Sequence, residues 1–260
     1  MQAIIFSAIA GICGTGLGGV VSAVFMRRSS ERVACWMLSF AAGVMTSIVC
    51  FGLLPEAVDL TNIVIAVIGL VAGIIIIMPL NRIIDRITES KGDHPKLHTT
   101  HEELYHESKL IKNRSRMVQS GFIMFAAIGL HNIPEGLAIG AGGSHDYQLG
   151  LLLAIMIALH NIPEGMAIAT PMLAGGMRKV VVVLLAALSG APTLLGGVIG
   201  SLIGGISDTA IALSLAAAGG AMLYVVFGEI IPQSIILVKS RAATIVTLLG
   251  IITGLVVAQL

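Results

Sequence analysis

The hexapeptide HNIPEG occupies residues 131–136 and recurs letter for letter at 160–165. Each copy sits inside an apolar run, GFIMFAAIGL (121–130) before the first and LLLAIMIAL (151–159) before the second. Long apolar runs read as membrane-spanning helices, and an ionisable side chain at mid-membrane depth costs roughly 3 kcal/mol or more. Such groups therefore normally face a cavity, a partner or an ion. Within each copy His and Glu are four residues apart and Asn and Glu three, which places all three side chains on one face of a helix. His131 and His160 each lie thirteen residues in from the starts of their runs, at 118 and 147, so the two faces are expected at matched depth on antiparallel neighbours. Pro134 and Pro163 have no N–H for the carbonyls of Leu130 and Leu159, so each helix is expected to bend there and to free a carbonyl.

Composition agrees with this reading. Of the 260 residues 56% are hydrophobic and 11% charged, with a mean hydropathy of +0.98. Soluble domains carry about a quarter charged residues, so the chain falls outside that class and reads as an all-α integral membrane protein. Eight runs are long enough to span, at about 2–26, 33–54, 62–81, 118–141, 147–170, 180–203, 209–235 and 242–260. They leave room for one transmembrane domain over 1–260 and a single long loop at 82–117. The first run has no basic residue before it, and Arg27 and Arg28 follow it, so it is expected to stay as a helix and not to be cleaved as a leader. The many glycines read as packing positions, and Cys13, Cys35 and Cys50, with no CxxC spacing, as small buried apolar residues.

The fifteen Lys and Arg fall without exception into alternate loops. Arg27, Arg28 and Arg32 lie in loop 1–2, eight more in loop 3–4, Arg178 and Lys179 in loop 5–6, and Lys239 and Arg241 in loop 7–8. Basic residues concentrate in cytoplasmic loops, so both termini are expected outside. The opposite loops carry Asp59, His145, Asp146 and Asp208, with Glu56 nearby, an acidic bias that would gather cations or simply be solvated. Loop 82–117 holds His94, His98, His101 and His106, which reads either as a weak transition-metal tract or as a flexible linker.

Two imidazoles and two carboxylates, His131, Glu135, His160 and Glu164, form an N₂O₂ ligand set suited to a borderline divalent ion such as Zn²⁺, Fe²⁺ or Mn²⁺. The absence of a thiolate disfavours Cu(I), and protons can replace the ion when it leaves. A hydrogen-bonded lock between helices is the structural alternative. The chain has no HExxH and no pair of ExxH motifs, and each midplane carboxylate is already a ligand candidate, so an enzyme is not expected. Carrier and channel stay open, as do proton coupling and oligomeric state, a homodimer included.

These motifs resemble the ZIP (Zrt/Irt-like) family of divalent metal transporters, and the paired HNIPEG is similar to that of bacterial zinc-uptake members with broad metal range. FAAGVMTSIVCFGLLPEA, LSGAPTLLGG and AGGAMLYVVFGEIIPQS extend the resemblance over the chain. It implies a 3+2+3 bundle with helices 4 and 5 between inverted repeats, and alternating access by movement of one bundle against another. It implies His131, Glu135, His160 and Glu164 as the primary metal site, a weak thioether contribution from Met45, Asn132 and Asn161 beside a second site, and Glu229 on the cytoplasmic exit. Some binuclear members have Asp where Asn161 stands and Glu where Thr193 stands, so the second position is expected weak or absent. The implied substrate is zinc, with iron, manganese and cadmium as further candidates. The metal is cargo and not a catalytic cofactor, the setting is a bacterial cytoplasmic membrane, and nucleic acid is not expected as a partner.

Overall fold

A computed structural model describes residues 2–26, 31–88, 114–202, 207–238 and 241–258. Among these residues the chain is built from helices, with no strand. We number the helices α1 (Gln2–Phe25), α2 (Glu31–Leu60), α3 (Ile63–Thr88), α4 (Arg114–His145), α5 (Tyr147–Ala174), α6 (Lys179–Leu202), α7 (Asp208–Leu237) and α8 (Ala242–Val257). Six are long and apolar enough to cross a membrane; the apolar part of α3, Ile63–Pro79, and α8 are shorter. With its exposed Ile, Leu and Val side chains along helices long enough to span, the chain is an all-α membrane protein.

Several helices overrun their apolar segments. α2 continues to Leu60 instead of stopping near 54, α5 to Ala174, and α3 and α4 both extend into the stretch expected as loop 82–117. An apolar run measures hydrocarbon thickness, whereas backbone hydrogen bonding carries a helix on through polar residues. The histidines at 94, 98, 101 and 106 lie outside the described residues. Two of the cysteines also depart from expectation: Cys35 is buried, but Cys13 and Cys50 sit on exposed faces of spanning helices, where an apolar thiol suits lipid.

The helices pack in a way that repeats. α4 and α5 lie together at the centre; α1 packs on α5 as α6 packs on α4, α2 packs on α5 and α8 as α7 packs on α4 and α3. Exchanging α1 with α6, α2 with α7, α3 with α8 and α4 with α5 maps most of these contacts onto one another, an inverted repeat flanking the central pair; the exception is α3, which also packs on α4 and α2 where α8 makes no comparable contact with α5 or α7. The chain thus forms two sets, α1, α4, α5 and α6 around the hexapeptides, and α2, α3, α7 and α8 beside them, meeting along the α2–α5 and α4–α7 seams and where α3 touches α4.

Local sequence supports the exchange. AGICGTGLGG (10–19) in α1 corresponds to SGAPTLLGG (189–197) in α6, one residue shorter. The extra residue is taken up in α1 by a π-helical turn, Ile9–Cys13, where α6 instead breaks at Gly190. A Cβ on Gly18 would lie 2.0 Å from the carbonyl oxygen of Ile162, and one on Gly196 would lie 2.1 Å from that of Ile133, so backbones touch at equivalent places. α2 and α7 each contain a π turn, Val49–Leu53 and Val226–Ile230, directly before Pro55 and Pro232. A wider turn ahead of a proline relieves the ring's clash with the preceding turn and lets the helix continue.

Candidate metal centre

Each hexapeptide lies within an unbroken helix, Pro134 in α4 and Pro163 in α5, so the expected bends leave both helices continuous. His131 is 4% exposed, and Asn132, Glu135, His160, Asn161 and Glu164 are fully buried. The glycines ending each copy set the depth of packing: a Cβ on Gly136 would be 1.9 Å from the Thr193 carbonyl oxygen, and one on Gly165 1.9 Å from that of Thr15. Small residues at these points let α6 and α1 close on the backs of α4 and α5, which turns the polar faces inward.

The four ligand candidates form a chain. Glu135 Oε1 lies 2.8 Å from Nε2 of both His131 and His160, and Glu164 Oε1 lies 3.3 Å from His131 Nε2. Ligand atoms of His131, Glu135 and Glu164 all fall within 4.8 Å of one another. His160 joins this cluster through its contact with Glu135. All four predicted residues are therefore brought together, three in one compact group and the fourth at its edge. Two carboxylates this close in a water-excluded site repel unless a proton or a cation lies between them.

The centre is also short of hydrogen bonds. Twelve buried side-chain nitrogen and oxygen atoms among the described residues have no hydrogen-bond partner, and eight of them belong to the two hexapeptides: both ring nitrogens of His131, Nδ1 of His160, Oδ1 of both asparagines, Oε2 of Glu135 and both carboxylate oxygens of Glu164. His131 Nε2 is near two carboxylates without the alignment of a hydrogen bond to either. Buried polar atoms are ordinarily paired, so a group of unpaired donor and acceptor atoms has the chemistry of a site for a small charged ligand.

The asparagines have a structural task that the sequence does not reveal. Asn132 Nδ2 donates to the Ser189 carbonyl at 2.9 Å, and Asn161 Nδ2 donates to the Ala10 carbonyl at 2.9 Å. Ser189 and Ala10 are equivalent residues at the break in α6 and at the π turn in α1. Each asparagine thus braces the irregular backbone of a flanking helix while its Oδ1 stays buried and unpaired beside the centre. Thr193 is buried nearby, its Oγ1 also without a partner. Met45 is buried in the apolar core on α2, and Glu229 is half-buried within the π turn of α7, outside the compact carboxylate and imidazole group. Two polar contacts between helices went unread in the sequence, Ser22 Oγ with Thr170 Oγ1 at 3.2 Å and Gln233 with Ser120 at 2.7 Å. Their partners stand more than a hundred residues apart, where no periodic signal links them. Of the acidic residues at the opposite end, Asp146 caps α5, its Oδ1 accepting from the N–H groups of Gln148 and Leu149.

Comparison with known proteins gives a concordant picture. A family model described as ZIP Zinc transporter matches residues 81–259. Proteins named Zinc transporter ZupT are similar to this chain. The Corynebacterium efficiens relative is 32% identical over 140 residues, 51% of this chain and 49% of its own length. That of Streptococcus mutans serotype c is 30% identical over 152 residues, 55% of this chain and 53% of the relative. That of Akkermansia muciniphila is 27% identical over 147 residues, 54% and 52%. The chain spans about half the length of the curated relatives it matches.

Proposed function

The chain belongs to the ZIP zinc transporter family, and from that premise we propose that it carries divalent transition-metal ions, zinc first among them, into the cytoplasm. The ion binds between α4 and α5, held by His131, Glu135, His160 and Glu164, and passes by alternating access. The observation that carries this reading is the gathering of eight unpaired buried polar atoms on the two hexapeptides. His160 and Glu135 do bond each other, but a structural lock would satisfy the remaining buried donors and acceptors as well; here they are left for a ligand.

The resemblance and the nitrogen and oxygen donor set support zinc first, with iron, manganese and cadmium as further cargo. Basic residues in alternate loops support a topology with both termini outside, and the resemblance to bacterial members supports a cytoplasmic membrane. Asn132 and Asn161, already engaged as braces, offer one neutral oxygen each, and Thr193 adds a hydroxyl, so a second ion here is held weakly. Met45 lends at most a thioether. Glu229, near the basic end of α7, receives the ion on its way out. Burial of all four candidate ligands favours a carrier, which occludes its ion, over a channel. The protein acts as a transporter and not as an enzyme.

Uptake of Zn²⁺, Cd²⁺, Mn²⁺ and Fe²⁺ into liposomes holding the purified protein tests this. Saturable uptake led by zinc is expected. Tight zinc binding with no flux would refute transport, and flux that never saturates would replace the carrier with a channel.

A further inference from the structure

We propose that Gln233 and Ser120 form a latch that holds the carrier shut at its basic end, and that the equivalent positions at the opposite end, Glu56 and Leu149, do not form one. The inference rests on the alternating-access reading above. Gln233 lies on α7 and Ser120 on α4, so their bond crosses between the two sets of helices; Gln233 Nε2 donates to Ser120 Oγ at 2.7 Å. By contrast, Asn132 to Ser189, Asn161 to Ala10, Ser22 to Thr170 and His160 to Glu135 tie α1, α4, α5 and α6 to one another. Movement of one set against the other leaves those bonds whole and breaks the one between Gln233 and Ser120.

Its position suits a gate. Ser120 precedes His131 by eleven residues, about 16 Å along α4, toward the end that carries Arg32, Arg178, Lys179 and Arg241. Gln233 is 7% exposed, and its Oε1 has no partner. A half-satisfied buried amide holds the seam through one bond, yet regains hydration for its other atom when the seam opens, so the latch is breakable.

The inverted repeat supplies an independent observation. Matching Pro232 to Pro55 places Gln233 of α7 at Glu56 of α2, and the 29-residue offset between the hexapeptides places Ser120 of α4 at Leu149 of α5. The α2–α5 seam therefore has a carboxylate and an isobutyl group where the α4–α7 seam has an amide and a hydroxyl. That pair cannot form the same bond, so the two gates differ in closing energy and the resting protein favours closure at the basic end.

The test uses the full chain with Cys13→Ser, Cys35→Ala, Cys50→Ser and Met124→Cys, in vesicles oriented with the basic end outward. Met124 lies one turn nearer the metal centre than Ser120 and is 1% exposed. A membrane-impermeant maleimide is applied without metal. Gln233→Leu and Ser120→Ala each raise the labelling rate about fivefold, as expected for losing one neutral hydrogen bond. Combined, they add nothing further, since both remove the same bond. Ser214→Ala, whose hydroxyl on α7 bonds back to the Ala210 carbonyl, leaves the rate unchanged. Unchanged labelling in both single variants, or increases that add, overturns the latch. Ser120→Ala deletes one oxygen and keeps the test standing if Gln233→Leu inserts poorly. Because labelling needs no metal, absent zinc flux with raised labelling sinks the transport reading alone, and normal flux with unchanged labelling sinks the latch alone.

Discussion

Glu135 Oε1 meets both imidazoles at 2.8 Å, whereas Glu164 meets one at 3.3 Å. The two carboxylates are thus unequal in the structure although identical in the repeat. Glu135 both orients the histidines and offers a negative oxygen, so Glu135→Gln is expected to lower the initial rate of zinc uptake at least about tenfold, the scale on which loss of a ligand-orienting carboxylate acts. Membrane insertion should be unaffected; uptake within twofold of the original chain would remove Glu135 from the site. Asn132 and Asn161 pose a different question because they brace backbone. Asn132→Ala and Asn161→Ala each leave a buried carbonyl unpaired at an irregular turn, at a cost of about 1–3 kcal/mol. Both variants should therefore unfold several degrees lower in detergent, followed by circular dichroism, and an unshifted midpoint would mean that the braces are dispensable.

At the scale of elements, the glycines closing each hexapeptide decide how near α1 and α6 come. Gly136→Ala and Gly165→Ala both drive a methyl into a backbone carbonyl 1.9 Å away, and overpacking of this kind typically costs about 1–3 kcal/mol. The repeat predicts similar losses of thermal stability and folded yield for the two variants; a large loss in only one would mark a failure of the symmetry. This symmetry was only half legible. The hexapeptides declare the α4 and α5 relation because they match letter for letter. The α1 and α6 relation was present in AGICGTGLGG and SGAPTLLGG, but the extra residue of the π turn throws the two out of register. Asn132 and Asn161 read as ligand candidates because the breaks they brace are invisible without coordinates. The four candidate ligands were legible as a cluster because polar residues stand out against an apolar background; Gln233 and Ser120, nearer the helix ends, do not.

For the whole molecule, the charge pattern and the two sets of helices belong to one account. In the proposed mechanism the basic loops face the cytoplasm, and the two sets of helices are the parts that move. The stretch at 94–106 lies apart from both sets in the sequence. Deleting it is expected to change apparent zinc affinity no more than a few fold and to leave maximal uptake near that of the intact chain; abolished uptake in properly inserted protein would show that the loop belongs to the transport path.

The claim on which everything else depends is that the buried His and Glu residues of α4 and α5 hold the ion in transit. The most direct measurement is zinc K-edge X-ray absorption on purified protein loaded with one equivalent of zinc. The account predicts a first shell of nitrogen and oxygen at about 2.0–2.2 Å with the multiple scattering of two imidazoles, lost in the His131→Ala, His160→Ala double variant. A sulfur shell near about 2.3 Å, or a spectrum the double variant leaves unchanged, would contradict it.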